Sequence, residues 1–217
     1  MKTNTGLVEY VQKALEEKWG YVWGTYGLTL TEALLKQKLK QYPKEVGKYE
    51  SFIRKNWLGK KTVDCVGLIK AYIWDTGNGI KYDPKTDVTV TGMVKAAKEK
   101  GPIDTLPEIP GILVYKTGHI GVYIGGGWVI EARGTKYGVV KTPLKGTGST
   151  QWTGWCKCPF IVYEKQDKEI LKIIDGLKQK GYITAPEYWT KVLEGKEPVN
   201  LEYLKILLKR VVGLVKV

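Results

Sequence analysis

Three consecutive glycines, Gly125-Gly126-Gly127, separate two apolar runs, 119–124 and 128–132. Glycine supplies the positive φ of a tight hairpin turn, so these runs are predicted as adjacent antiparallel strands. Further strand patterns fall at 112–116, 137–141 and 157–163. The residues before them are spaced helically instead. Leu7, Val8, Val11, Ala14, Leu15 and Trp19 predict a helix over 5–19, with Gly20 as its stop. Other helices are expected at 31–41, ended by Pro43, and at 47–57, 64–74 and 90–100. A helical half followed by an antiparallel meander makes the fold class α+β.

A chain of 217 residues can enclose one substantial core with a small appendage. The first domain is predicted over 1–165 and the appendage over 166–217. Ile170, Leu171, Ile173, Ile174 and Leu177 mark a helix there, stopped near Gly181. Thr184-Ala185-Pro186-Glu187 has the spacing of a capping box and starts a second helix. Asn200 caps a third, with Leu201, Leu204, Leu207, Leu208 and Val211 on its apolar side. So short a segment is a poor candidate for an independent core. It is expected to pack on the first domain through a join at 166–168, or to bind a wall.

Thirty-five basic residues against 22 acidic ones leave a net charge of +13. Such a field favours polyanions, an anionic cell wall among them, or simply keeps the surface solvated. The lysines are scattered, with no zinc-finger spacing, phosphate-binding glycine loop or RNA-binding aromatic signature, so nucleic acid is not an expected partner. No apolar run nears the roughly 20 residues that cross a bilayer, and stable membrane insertion is not expected. Residues 1–20 lack the apolar centre of a secretory signal, which points to a cytosolic protein or to export that depends on something else. Cys156 and Cys158 flank Lys157 in a strand pattern that turns both to one face and into the core. With one histidine in the chain they make no structural zinc site; neither metal nor other cofactor is expected.

That single histidine, His119, opens the first strand of the glycine hairpin. Imidazole is the side chain best able to take a thiol proton near neutral pH. Cys65 stands where the apolar pattern of 64–74 begins, with Thr62 or Asp64 as the cap. A cysteine in a first helical turn has unpaired amides and the positive dipole end beside it, and both favour the thiolate. A merely buried cysteine would explain the apolar neighbours but not the match with a lone histidine. If the turn centres on Gly125, Glu131 stands directly opposite His119, with Cβ atoms about 4.5–5.5 Å apart. Its carboxylate can then fix the imidazole tautomer and stabilise the imidazolium. The expected chemistry is attack of Cys65 on an amide carbonyl. His119 takes the thiol proton, or already holds it in a resting thiolate–imidazolium pair. The Cys65 backbone N–H helps hold the oxyanion, and water clears the thioester.

Among the aromatic residues, Trp128 is expected in the core. Trp152 and Trp155, in or beside the Gly/Thr-rich stretch 146–154, are expected to meet substrate. Arg133 and Lys136 are placed to bind carboxylates or to stay solvated.

Val63-Asp64-Cys65-Val66-Gly67-Leu68-Ile69, Pro110-Gly111-Ile112-Leu113-Val114 and Gly118-His119-Ile120-Gly121-Val122-Tyr123-Ile124-Gly125 follow one another in the chain. In sequence and order they resemble NlpC-type cell-wall cysteine peptidases over about residues 20–163, and most of all the catalytic modules of bacteriophage lysins. The resemblance implies a papain-like fold, with N-terminal helices and a nucleophile helix packed on an antiparallel sheet. It implies hydrolysis of amide bonds in peptidoglycan stem peptides, with Cys65 as nucleophile, His119 as base and Glu131 at a third polar position that is commonly His. Tyr21, in Tyr21-Val22-Trp23-Gly24, matches an aromatic residue near the family's nucleophile, where it binds substrate or the oxyanion unless it only packs. Asp64, Trp23, Arg133 and Trp152 complete the candidates for oxyanion or substrate binding.

The chain departs from the pattern at Val66, where Ser is usual, and at Ile112, where Asp is usual. The helical insertion between Gly24 and Asp64 is longer than the family normally carries and is expected to wall the substrate groove. The implied activity is that of an endolysin-like peptidoglycan hydrolase, cutting at the D-glutamyl–diamino acid bond and held in the host cytoplasm until release to the wall. An N-acetylmuramoyl-L-alanine amidase would use the same residues, and a non-catalytic wall-binding protein is the further alternative.

Overall fold

The structure, a computed structural model, describes residues 1–163 and 168–213. It divides into two compact units, Met1–Glu164 and Lys165–Val217. The predicted boundary at 165/166 and most of the join expected at 166–168 lie outside the described residues.

The first unit is a mixed helix-and-sheet fold. Helix α1 (Asn4–Glu16) is capped by Thr3, whose hydroxyl accepts from the Gly6 N–H, and it buries Leu7, Val11 and Ala14. It ends earlier than predicted. Lys18 takes the left-handed conformation at φ 53°, and the Trp19 N–H returns to the Ala14 carbonyl, so Lys18 closes the helix. Gly20 instead starts β1 (Gly20–Tyr21), followed by β2 (Tyr26–Thr29). The insertion then folds as α2 (Glu32–Gln41), α3 (Pro43–Gly47) and α4 (Glu50–Asn56), closed over Val22, Leu30, Leu35, Val46 and Ile53. Strand β3 (Lys61–Val63) lies between β1 and β2, and β3 leads directly into α5 (Cys65–Trp74). After α6 (Val90–Ala96) the chain turns to sheet: β4 (Lys100–Pro102), β5 (Leu113–Lys116), β6 (His119–Gly125), β7 (Trp128–Gly134), β8 (Gly138–Pro143) and β9 (Gly154–Cys156).

These six strands pair antiparallel in the order β4-β9-β5-β6-β7-β8. Alternation gives the sheet two differently covered faces. Ile120, Val122, Ile130 and Ala132 join α1 and α5 in the main core. Tyr123 and Val129 lie on the other face with Val114 and Trp152. The strand predicted at 157–163 is not formed; a strand lies just before it, β9 at Gly154–Cys156, and within 157–163 only Val162 bridges, to Thr3. Cys156 and Cys158 are buried and unpaired, in the main core as expected. Trp128 is not in the core: it stands at the first position of β7, beside the glycine turn, and is 42% exposed with the Lys141 ammonium over its ring.

The second unit holds α7 (Lys168–Gln179), α8 (Pro186–Leu193) and α9 (Leu201–Val211) around Ile174, Ile183 and Trp189. Gly181, at φ 69°, ends the first of these as predicted. Asn200 Oδ1 accepts from the N–H groups of Glu202 and Tyr203, also as predicted. The capping box does not form: α8 begins after Ala185 with no side-chain cap, and Pro186 supplies the pre-set φ instead. On α9, Leu204 and Leu207 pack inward while Leu201, Leu208 and Val211 are exposed. No helix among the described residues is long and apolar enough to cross a membrane.

Candidate active site

Helix α5 is almost wholly buried and apolar, and its first turn is fixed by Asp64. One carboxylate oxygen accepts from the Gly67 N–H at 2.6 Å and the other from the Gly24 N–H at 2.8 Å. Asp64 therefore caps the helix and ties the 22–25 loop, with Trp23, to its start. The Thr25 carbonyl accepts from the Asp64 N–H and presses against the same turn. A Cβ at Gly67 would lie 2.0 Å from that carbonyl oxygen, so the approach requires glycine. Asp64 thus has a positioning role, whereas Thr62 lies in β3 and does not cap.

This arrangement sets Cys65 at the first residue of α5, its Sγ 4.0 Å from the Gly118 carbonyl oxygen and near the Ile120 N–H. The two backbone groups flank His119. Burial pushes the thiol up to about 12, and the nearby Asp64 adds to this; the amides of Val66, Ile120 and Cys65 itself act in the opposite direction and are outweighed. The helix start favours the thiolate as expected, and desolvation acts against it.

His119 Nε2 lies 2.6 Å from Glu131 Oε2. The pair forms, but not by the register predicted. Val122 faces Ile130 and Tyr123 faces Val129, with an irregularity between Tyr123 and Gly125, which sets Glu131 across from Gly121. His119 is therefore a diagonal neighbour, further away at the backbone but on the same face. Gly121 leaves the space for this reach. A Cβ there would stand 2.8 Å from Val129 Cγ1, 3.0 Å from Trp152 Cη2 and 3.2 Å from Glu131 Cβ.

Glu131 is fully buried, and its second oxygen accepts from Thr142 at 2.7 Å and Thr150 at 2.5 Å. Burial alone would raise this carboxyl; the bonds from His119, Thr150 and Thr142 together overcome it and hold the group below the usual carboxylate range. An ionised Glu131 keeps the proton on Nε2 and leaves Nδ1 as the basic nitrogen. Thr142 and Thr150 carry no periodic or motif signal, so sequence reasoning had no handle on them.

Trp152 is buried and stacks on the His119 ring, with centroids 5.4 Å apart and planes 11° apart, so it packs the imidazole in place. Trp155 lies in β9 and donates to Thr105. Arg133 is exposed over the Tyr137 ring and is not brought to Cys65. Tyr21 is buried with Cys65 in the main core, and its hydroxyl feels the Cys65 backbone N–H. Burial, with Cys65 and Asp64 close by, holds this phenol well above its ordinary range, so it is a neutral hydrogen-bond partner.

A cleft of about 710 Å³ opens onto Cys65. Trp23 and Asp64 line it, and the insertion contributes Gln37, Lys38, Gln41 and Tyr42. The insertion therefore does wall the groove. Among the described residues no group of three or more His, Cys, Asp or Glu side chains converges as a metal site.

Residues 53–156 match the family model described as the NlpC/P60 family. Comparison with curated proteins gave no match. Among solved structures, the chain is similar to the P60 domain of the M. avium subspecies paratuberculosis antigen MAP1204, at 19% identity and a TM-score of 0.39, covering 73% of this chain and 98% of that one. It is also similar to the peptidoglycan hydrolase RipB of Mycobacterium tuberculosis, at 18% identity and a TM-score of 0.39, covering 74% of this chain and 67% of that one. The segment that carries Asp64, Cys65, His119 and Glu131 lies within the residues that match the NlpC/P60 family model.

Proposed function

We propose that this protein is a peptidoglycan hydrolase that cleaves an amide bond of the stem peptide through Cys65, His119 and Glu131. The observation that carries the reading is the His119–Glu131 pair, held at 2.6 Å by a buried carboxylate, with Cys65 against the backbone of Gly118 and Ile120 on either side of His119. A surface glutamate would not be sealed from water and held by two threonines as well. His119 Nδ1 takes the thiol proton as Cys65 attacks the carbonyl. Glu131 stabilises the positive charge that the ring acquires. The N–H of Cys65, with the Tyr21 hydroxyl beside it, is placed to receive the oxyanion. The imidazolium then protonates the leaving amine, and water hydrolyses the thioester.

The bond we assign is that between the D-glutamyl residue and the diamino acid. The cationic surface, +13 overall, suits adsorption to an anionic wall, and the same proposal covers a lysin that reaches that wall from the host cytoplasm. The first 163 residues constitute the catalytic part in this reading, and the helices after residue 165 the appendage. Digestion of purified peptidoglycan of several chemotypes, with fragments identified by mass spectrometry and Cys65→Ala beside the wild type, tests it. New termini within the stem support the endopeptidase. Free lactyl groups with intact stems would replace it with an amidase, and the absence of any Cys65-dependent product would leave only a binding protein.

A further inference from the structure

Two lysines lining the cleft have almost no solvent contact: Lys38 of α2 is 7% exposed and Lys70 of α5 is 9% exposed. Their surroundings differ. Lys70 is paired with the Asp87 carboxylate, which the Tyr82 hydroxyl also supports. Lys38 has no carboxylate in contact among the described residues. Its ammonium donates to Gln41 Oε1 at 2.9 Å and lies 5.7 Å from the centre of the Tyr42 ring. An ammonium has three donors, so two remain for groups outside the protein. Burial lowers Lys38 from its ordinary value, with Asp64 and Asp87 acting against this from further off.

A buried cation without an anion is costly, and replacing it by an apolar side chain would stabilise many folds. Its presence here has a purpose if an anion arrives with the substrate. The cleft that holds it is the one that opens on Cys65, and the insertion supplies it together with Gln37 and Gln41. We propose that Lys38, with Gln37 and Gln41, forms a carboxylate-binding subsite that anchors an acidic group of the substrate relative to Cys65. The inference rests on the hydrolase reading and names what selects its substrate. A stem peptide offers several groups of this chemistry: the free α-carboxylate of its γ-linked D-glutamyl residue, its C-terminal carboxylate and, where the diamino acid is meso-diaminopimelate, the second carboxylate of that residue, which the lysine peptide lacks. Loss of one charge-assisted bond to such a group weakens binding by about 10- to 100-fold.

The test uses the full chain and synthetic tetrapeptides L-Ala-γ-D-Glu-X-D-Ala, with lysine or meso-diaminopimelate as X. Each is compared with analogues in which the D-glutamyl α-carboxyl, or the C-terminal carboxyl, is a carboxamide. Cleavage is measured for wild type and Lys38→Met, and binding by calorimetry in the Cys65→Ala background. Wild type should prefer one acid form over its amide, or the diaminopimelate peptide over the lysine peptide, by at least about tenfold, chiefly in KM. Lys38→Met should abolish that preference, and Lys38→Arg should retain part of it. The amide, or the lysine peptide, that reproduces the Lys38→Met loss identifies the carboxylate. The Tm of Lys38→Met should be unchanged or higher, whereas a structural role requires it to fall.

Equal loss on acid, amide and lysine peptides, or no loss on any, overturns the subsite while leaving hydrolysis standing. Lys38-dependent binding without cleavage of any peptide would retain the subsite and overturn the hydrolase reading. Absence of both binding and cleavage overturns the subsite.

Discussion

Replacing Glu131 by Gln separates the charge of the third residue from its shape. The Gln carbonyl can accept from His119 Nε2 in place of Oε2, 2.6 Å away. Its amide can donate to Thr142 and Thr150, whose hydroxyls rotate from donor to acceptor. The tautomer that leaves Nδ1 free is therefore kept. What disappears is a buried negative charge beside a ring that becomes positive during attack. Bonds to a charged group contribute about 1.5–3 kcal/mol and neutral ones about 0.5–1.5 kcal/mol. With the imidazolium stabilised less, the barrier should rise by about 1–3 kcal/mol, or roughly 10- to 100-fold in kcat with KM little changed. Glu131→Leu removes the acceptor altogether and strands both threonine hydroxyls in a dry site, so it should fall well below the Gln variant in rate and in stability. Steady-state cleavage of a soluble stem peptide and urea melts measure both. Because the folded carboxyl is held low, its stabilisation is present above the usual carboxylate range and is lost as pH falls through the folded value. Wild type and Glu131→Gln should accordingly converge in stability at acid pH. A Gln variant as fast as wild type, or no faster than the Leu variant, would remove Glu131 from the machinery.

Gly121→Ala places a Cβ 2.8 Å from Val129 Cγ1 and 3.0 Å from Trp152, which should cost about 1–3 kcal/mol in a thermal melt and lower kcat by moving Glu131 and the ring beneath Trp152. Trp152→Ala should lose about 3–5 kcal/mol of stability and reduce kcat more than it raises KM; a pure rise in KM would return Trp152 to substrate contact. Burial pushes Cys156 and Cys158 up to about 12, so each adds stability below about 9 that is lost as pH rises toward 12. Cys156→Ala should flatten the alkaline decline in urea midpoint, and an unchanged slope would contradict the burial. A chain ending at residue 163 should stay soluble and cleave soluble stem peptide at the wild-type rate; precipitation would show that the second unit covers an apolar face, and loss only on intact walls would show that it targets them.

Elements whose partners lie nearby in sequence were legible. The caps at Asp64 and Asn200 each accept the backbone bonds their residue types predict, and α5 and α9 begin where those residues stand. Strands β1 to β4 were not legible, because two to four residues carry no countable alternation, and β1 is made a strand by β3, some forty residues on. The exposure of Trp128 and the burial of Trp152 were not legible, because residue type does not say whether the first position of a strand is covered, nor that a loop folds back on a ring. The holders of Glu131 escaped for the same reason: Thr142 and Thr150 reach it only through the tertiary fold.

The His119–Glu131 pair was nevertheless legible from a wrong register, and the reason is physical. The predicted and observed pairings of β6 with β7 differ by two residues, from Glu131 across from His119 to Glu131 across from Gly121. Side chains alternate with period two, so a shift of two keeps every residue on its face, whereas a shift of one would have sent Glu131 into the core with Ile130 and Ala132. Three glycines in a turn leave the count of residues loose, and Gly125, Gly126 and Gly127 all take positive φ. The apolar pattern on either side fixes the parity that the turn does not. The pair needed only that parity and a residue between them small enough to be crossed. Gly121 meets that condition, and its place two residues after His119 was the sequence signal that the histidine could reach diagonally rather than straight across.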